Sequence, residues 1–122
     1  MGNSLSDCLV CGAAGTVIVQ GPEFPLVLND KIRVNSCTYR MRPVGGKNWE
    51  SWEFNFEVNY TNITSEAGHL LPEGSLYSPG AGYGFGGSYI TFGSIVNPNE
   101  SATCIIKCRV PRSYETHILT LR

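Results

Sequence analysis

The chain has 122 residues, enough for one domain and too few for two. Hydrophobic residues make up 42% and charged residues 16%, and nine basic side chains against ten acidic ones leave a net charge of −1. That balance gives no electrostatic footprint for a nucleic-acid partner, and no run approaches the ~20 apolar residues of a transmembrane segment.

Residues 1–15 are a small-residue arm, flexible or docking, that ends on Gly12, Ala13, Ala14 and Gly15; a single domain over 16–122 follows. The arm has no basic region, and Thr16–Val19 is too short for the apolar core of a secretory signal. Met1-Gly2-Asn3-Ser4-Leu5-Ser6 fits the N-myristoylation pattern, with Gly2 as acceptor and Cys8 as a site for a second acyl chain. A membrane tether is therefore expected only if the chain is acylated, and stable only with two chains. The plain alternative is a short arm that fits a loose pattern. Five cysteines, an odd number, leave at least one thiol unpaired within a monomer. With no signal, this favours a cytosolic or virion-associated location over an extracellular one.

Thr16–Gln20 predicts a first strand, Leu26–Leu28 a short apolar piece, and Asn29-Asp30 a turn. Lys31–Arg42 predicts a long strand in which Ile32 and Val34 share one face. Cys37, Tyr39 and Met41 then take the opposite parity. That switch at Asn35-Ser36 predicts a β-bulge or a change of sheet. Pro43 and Gly45-Gly46 make the next turn. Trp52, Phe54, Phe56, Val58 and Tyr60 alternate with Glu53, Asn55, Glu57 and Asn59, which predicts a strand with a buried aromatic face and a wet face. Glu53 and Glu57 then belong to solvent, opposite Arg40 and Arg42.

Residues 61–87 predict irregular chain, with short strands at most near His69–Leu71 and Leu76-Tyr77. Further strands are predicted over Ser88–Val96, Ala102–Val110 and Thr116–Leu121, with no capped amphipathic helix of useful length. The expected fold is all-β: a single antiparallel β-sandwich, immunoglobulin-like or jelly-roll-like, of roughly seven to nine strands.

From Asp30 onward the features follow a suggestive order. A strand Lys31-Ile32-Arg33-Val34 leads to the aromatic strand ending Val58-Asn59-Tyr60-Thr61-Asn62. The turn Pro98-Asn99-Glu100-Ser101 then opens a strand closing on Val110-Pro111-Arg112, and a last strand carries Leu119 and Leu121. This resembles the immunoglobulin-like accessory domains of bacterial cell-surface lipoproteins, which have Gly where Asn99 stands. The resemblance implies a sandwich used for binding or spacing, with no inherited catalytic residues. The N-terminus departs from that family, since no lipoprotein signal or lipid-bearing cysteine is recognisable there.

Motifs of chemistry are sparse. Cys8-x-x-Cys11 is half a zinc knuckle, but Cys104 and Cys108 on one strand stand ~13 Å apart and cannot share a zinc. They fit better as small buried hydrophobes flanking Ile106, so no metal and no cofactor is expected. Gly82-Tyr83-Gly84-Phe85-Gly86-Gly87 spells G-x-G-x-x-G, but a strand rather than a helix follows, which excludes the nucleotide reading. The stretch predicts instead an aromatic partner-binding loop of Tyr83, Phe85 and Tyr89, or a crossover whose rings cap the core. Three sequons make Asn59, Asn62 and Asn99 possible glycosylation sites, Asn59 on the wet face of its strand and the others at turns. His69 and His117 are the only histidines, and no local signature joins either to a nucleophile. The sequence thus predicts a non-enzymatic binding module acting through protein–protein or glycan contacts. The rivals are a self-assembling virion, coat or filament subunit, and last a small enzyme using Cys37 or Cys8 with a histidine.

Overall fold

In the computed structural model the described residues are 5–8, 17–91 and 95–122. Gly2, and with it the myristoylation reading, lies outside them. The strands are β1 (Leu5–Cys8), β2 (Ile18–Gln20), β3 (Leu26–Leu28), β4 (Ile32–Val44), β5 (Ser51–Asn62), β6 (Gly74–Ser78), β7 (Tyr83–Gly86), β8 (Ser88–Thr91), β9 (Ser101–Pro111) and β10 (Thr116–Leu121). Among the described residues no helix is long and apolar enough to cross a membrane.

Alternation decides the centre. Trp52, Phe54, Phe56, Val58 and Tyr60 of β5 are all buried, and β4 and β9 flank it with Val34, Cys37 and Met41 on one side and Cys104, Ile106, Cys108 and Val110 on the other. A period of two, reset in β4 by one extra residue between Val34 and Cys37, puts all of them on one sheet face. They meet Leu76 of β6 and Leu119 and Leu121 of β10 in one core. The fold is thus the expected β-sandwich, antiparallel except where β1 runs parallel to β4 and β2 parallel to β10. One sheet has the order β1-β4-β5-β9-β8, with β3 also pairing β4, and the other has the order β2-β10-β6-β7. In the immunoglobulin order, ABED facing CFG, the consecutive strands B and C lie in opposite sheets. Here β4, β5, β9 and β8 stand in the order A, B, E, D, and β7, β6 and β10 in the order C′, C, F, so the step from β5 to β6 changes sheet as that from B to C does, while β2, parallel to β10, lies where G would.

Two local expectations have their physical cause on view. Asn29 and Asp30 both adopt positive φ, 53° and 56°, and Lys31 N–H donates to Leu28 C=O at 3.0 Å. Short polar side chains tolerate that conformation, and it matches the twist of a tight hairpin. In β4 the register shifts between Val34 and Ser36, so Asn35 is the extra residue. Its amide donates to Asn59 Oδ1 and Thr61 Oγ1, both at 2.9 Å, which pins the bulge to β5.

The wet face of β5 needs a correction. Glu53 is only 3% exposed, because Arg42 and Arg109 from the flanking strands fold over it at 3.0 and 3.4 Å. Burial alone would raise its pKa, but the hydrogen bonds from the two guanidiniums outweigh that and lower it.

Candidate binding surface

The glycine-rich stretch is an edge strand, not a loop. Leu76 stands opposite Phe85 and Ser78 opposite Tyr83, so Tyr83 and Phe85 share the inner face with buried Leu76 and Ser78. Gly84 and Gly86 take the outer face. Phe85 packs against the core, while Tyr83 at the open side stays 57% exposed. The two rings tilt against each other with centroids 5.1 Å apart. Glycine has low strand propensity, which hides such a strand from sequence reading.

A third ring joins them from the turn between β9 and β10. Tyr114 lies 6.4 Å from Phe85 between centroids. A Cβ on Gly80 would stand 3.3 Å from the Tyr114 ring, so a larger residue there would crowd the ring. On the other flank of the same turn, Arg112 lies 4.3 Å over the Trp49 ring and its Nη1 donates to Trp49 C=O at 3.3 Å. Trp49 in turn meets Trp52 edge-on at 4.6 Å. A hollow of about 480 Å³ opens there, lined among others by Trp49, Glu50, Arg112 and Glu115. Tyr83, Phe85, Tyr114, Arg112 and Trp49 therefore run across one end of the sandwich. Sequence reading missed the last three. The Pro111–Tyr114 turn, which carries an arginine and a tyrosine, was the available signal.

Tyr89 does not belong to this group. It sits on β8 in the other sheet, opposite Ile106, and its hydroxyl donates to Pro72 C=O at 2.8 Å. Burial raises its pKa. It lines a second hollow of about 390 Å³, with Glu73, Gly74, Gly86, Gly87 and Arg122.

The sequons separate by burial. Asn99 is exposed in its turn at φ 65°. Asn59 is half-buried, with its amide donating to Thr103 Oγ1 at 3.3 Å. Asn62 is fully buried, which overturns its reading as an accessible turn residue: its Nδ2 donates to Val96 C=O at 2.8 Å and Glu66 C=O at 2.9 Å, and its Oδ1 accepts from Thr64. The residue ties the end of β5 to the loops that follow it and precede β9. Cys8 is placed by its backbone alone, on β1, parallel to β4 opposite Tyr39.

Nucleophile chemistry finds poor ground among the described residues. Cys37, Cys104 and Cys108 are free and buried. Burial pushes the Cys37 thiol up to about 12, helped by the neighbouring Cys104 and Cys108, so the proposed Cys37 nucleophile is held as an unreactive thiol. Burial pushes Cys104 up to about 11 and Cys108 to about 12. His117 is fully buried, 2.7 Å through Nδ1 from Ser78 Oγ, with Phe54 edge-on at 5.4 Å. Burial lowers its pKa, against a smaller opposing pull from the Tyr114 carbonyl. This Ser–His pair, absent from the sequence reading, is sealed from any substrate. No group of three or more potential metal ligands occurs among the described residues. No known protein family, curated protein or solved structure matches the chain.

Proposed function

We propose that the chain is a non-enzymatic binding module that works through protein–protein contacts at the β7 edge and the aromatic end beside it. The observation that carries this reading is Tyr83: a large ring, 57% exposed, backed by Phe85 on a strand that, among the described residues, pairs on one side only. Exposed aromatics on a rigid element are the usual anchors of protein interfaces, because they bring large contact area with few rotatable bonds. The buried thiols and the sealed His117 support the absence of catalysis. A glycan reading has less support at this end, since Arg112 already covers one face of Trp49.

Photo-crosslinking tests it. A photoreactive phenylalanine in place of Tyr83, in the cells that make the protein, is compared with the same residue in place of exposed Val27 on β3. A discrete adduct from position 83 and none from 27 is expected. Equal labelling from both, or none from 83, overturns the assignment.

A further inference from the structure

Residues 74–99, which include β6, β7 and β8, contain no Asp, Glu, Lys, Arg or His. Both open strands on this side of the sandwich, β7 of one sheet and β8 of the other, lie within that run. Soluble proteins ordinarily guard open edges with charge, proline or a bulge. β8 has a bulge between Tyr89 and Thr91, and β2, the far edge of the β7 sheet, is three residues long and followed by Pro22 and Glu23. β7, four residues long, carries no charge, proline or bulge.

The register says which backbone groups β7 leaves open. Gly87 N–H donates to Gly74 C=O at 3.0 Å, one residue beyond the Ser75–Gly86 pair. Hydrogen-bonded and non-hydrogen-bonded pairs alternate along an antiparallel ladder. Phe85 therefore bonds to Leu76, whereas the N–H and C=O of Gly84 and Gly86 point away from β6. The open donors and acceptors thus belong to two glycines, symmetric about Phe85.

We infer that β7 is a self-pairing edge whose occupant is β7 of a second copy of this chain, antiparallel and centred on Phe85. This rests on the binding reading above and names its partner. In that register Gly84 of each copy faces Gly86 of the other, and every open N–H and C=O of the strand is used. Phe85 faces Phe85 in the close, non-hydrogen-bonded position, and Tyr83 faces Gly87. Both partners keep their inner faces on the same side, as parity requires of a continuous sheet. A strand that is its own complement is the requirement of an isologous two-fold contact. The lack of charge over 74–99 removes like-charge repulsion between the copies.

Sedimentation across a concentration series, with amide exchange at single-residue resolution, tests this on the full chain. A monomer–dimer equilibrium is expected, with the Gly84 and Gly86 amides gaining protection as concentration rises while Phe85 is protected throughout. Gly84→Pro removes an outward N–H that β6 does not use, and Tyr83→Lys places a charge at the seam. Each should weaken the dimer by about tenfold or more, the value of one or two lost hydrogen bonds, and Val27→Lys should not. If Gly84→Pro unfolds, Tyr83→Lys and the two glycine amides decide. A chain that stays monomeric to about 1 mM, or a dimer indifferent to both edge variants, overturns the inference. The crosslink from residue 83 separates the two failures. An adduct of twice the chain mass supports self-pairing, an adduct with a foreign protein removes it and keeps the binding module, and no adduct removes both.

Discussion

Two adjacent glycines, Gly86 and Gly87, should respond oppositely to the same added methyl. A Cβ on Gly87 would stand 2.4 Å from Ile106 Cγ2, 2.6 Å from Gly74 O and 3.2 Å from Cys108 Sγ. Ile106 can rotate, but the Gly74 carbonyl is backbone and accepts the Gly87 N–H, so relief requires breaking that bond. Overpacking of this kind costs about 1–3 kcal/mol, and the lost hydrogen bond adds about 1. Gly87→Ala should therefore destabilise by about 2–4 kcal/mol. A Cβ on Gly86 meets nothing within 4 Å. Its replacement by alanine removes backbone freedom from the unfolded chain and should be neutral or stabilise by up to about 1 kcal/mol. Urea denaturation at low micromolar concentration keeps association out of the measurement. With a slope of about 1.5 kcal/mol per molar, the Gly87 variant should unfold about 1.3–2.7 M earlier than the parent. Equal midpoints for the two variants would refute the claim that β7 turns into β8 through a gap only glycine fits.

Two further outcomes follow from the buried polar groups. The folded pKa of His117 lies below its ordinary 6.5, so the unfolded chain takes up protons first as the pH drops. Stability should hold above pH 7, fall as the pH passes below about 6.5 towards the folded pKa, and lose that arm in His117→Gln. The lowered Glu53 carboxyl adds its own loss only below its ordinary 4.5, and a urea series across pH separates the two. Asn62→Ala removes one of two donors from each of the Val96 and Glu66 carbonyls, which keep Gly68 N–H and Thr64 Oγ1, and takes the acceptor from Thr64 N–H, so it should cost about 1–3 kcal/mol; a midpoint unchanged within error would show that the remaining bonds hold these loops alone.

What the sequence disclosed was what alternation and turn chemistry control. The aromatic face of β5, the Asn35 bulge and the Asn29-Asp30 turn each follow from a parity or a backbone preference confined to a few neighbouring residues. What it concealed depends on which strands meet. Glu53 looks wet on its own strand and is dry because arginines from two other strands close over it. Asn62 looks like a turn residue and is buried because its amide bonds the carbonyl of Val96, far along the chain. Tyr83 and Phe85 were visible as candidates, yet Tyr114 joined them only through the packing of a remote turn, and Tyr89 left them because β8 enters the opposite sheet. The β7 strand itself was hidden by glycines, whose value there is backbone access rather than propensity.

The position of β10 has a consequence for how the molecule is made. It lies between β2 and β6, pairing Thr116–Ile118 with Ile18–Gln20 on one side and Ile118–Leu121 with Gly74–Tyr77 on the other. The large sheet can begin from the β4–β5 hairpin as soon as that hairpin leaves the ribosome, because its partners are close along the chain. The small sheet has no such start. Until β10 emerges, β6 and β7 are a lone uncharged hairpin open along both of its edges, and β2 has nothing to pair with. Synthesis therefore passes through an interval in which this hairpin is the stickiest surface on the nascent chain, and slowing translation between β7 and β10 should raise aggregation more than slowing it anywhere earlier.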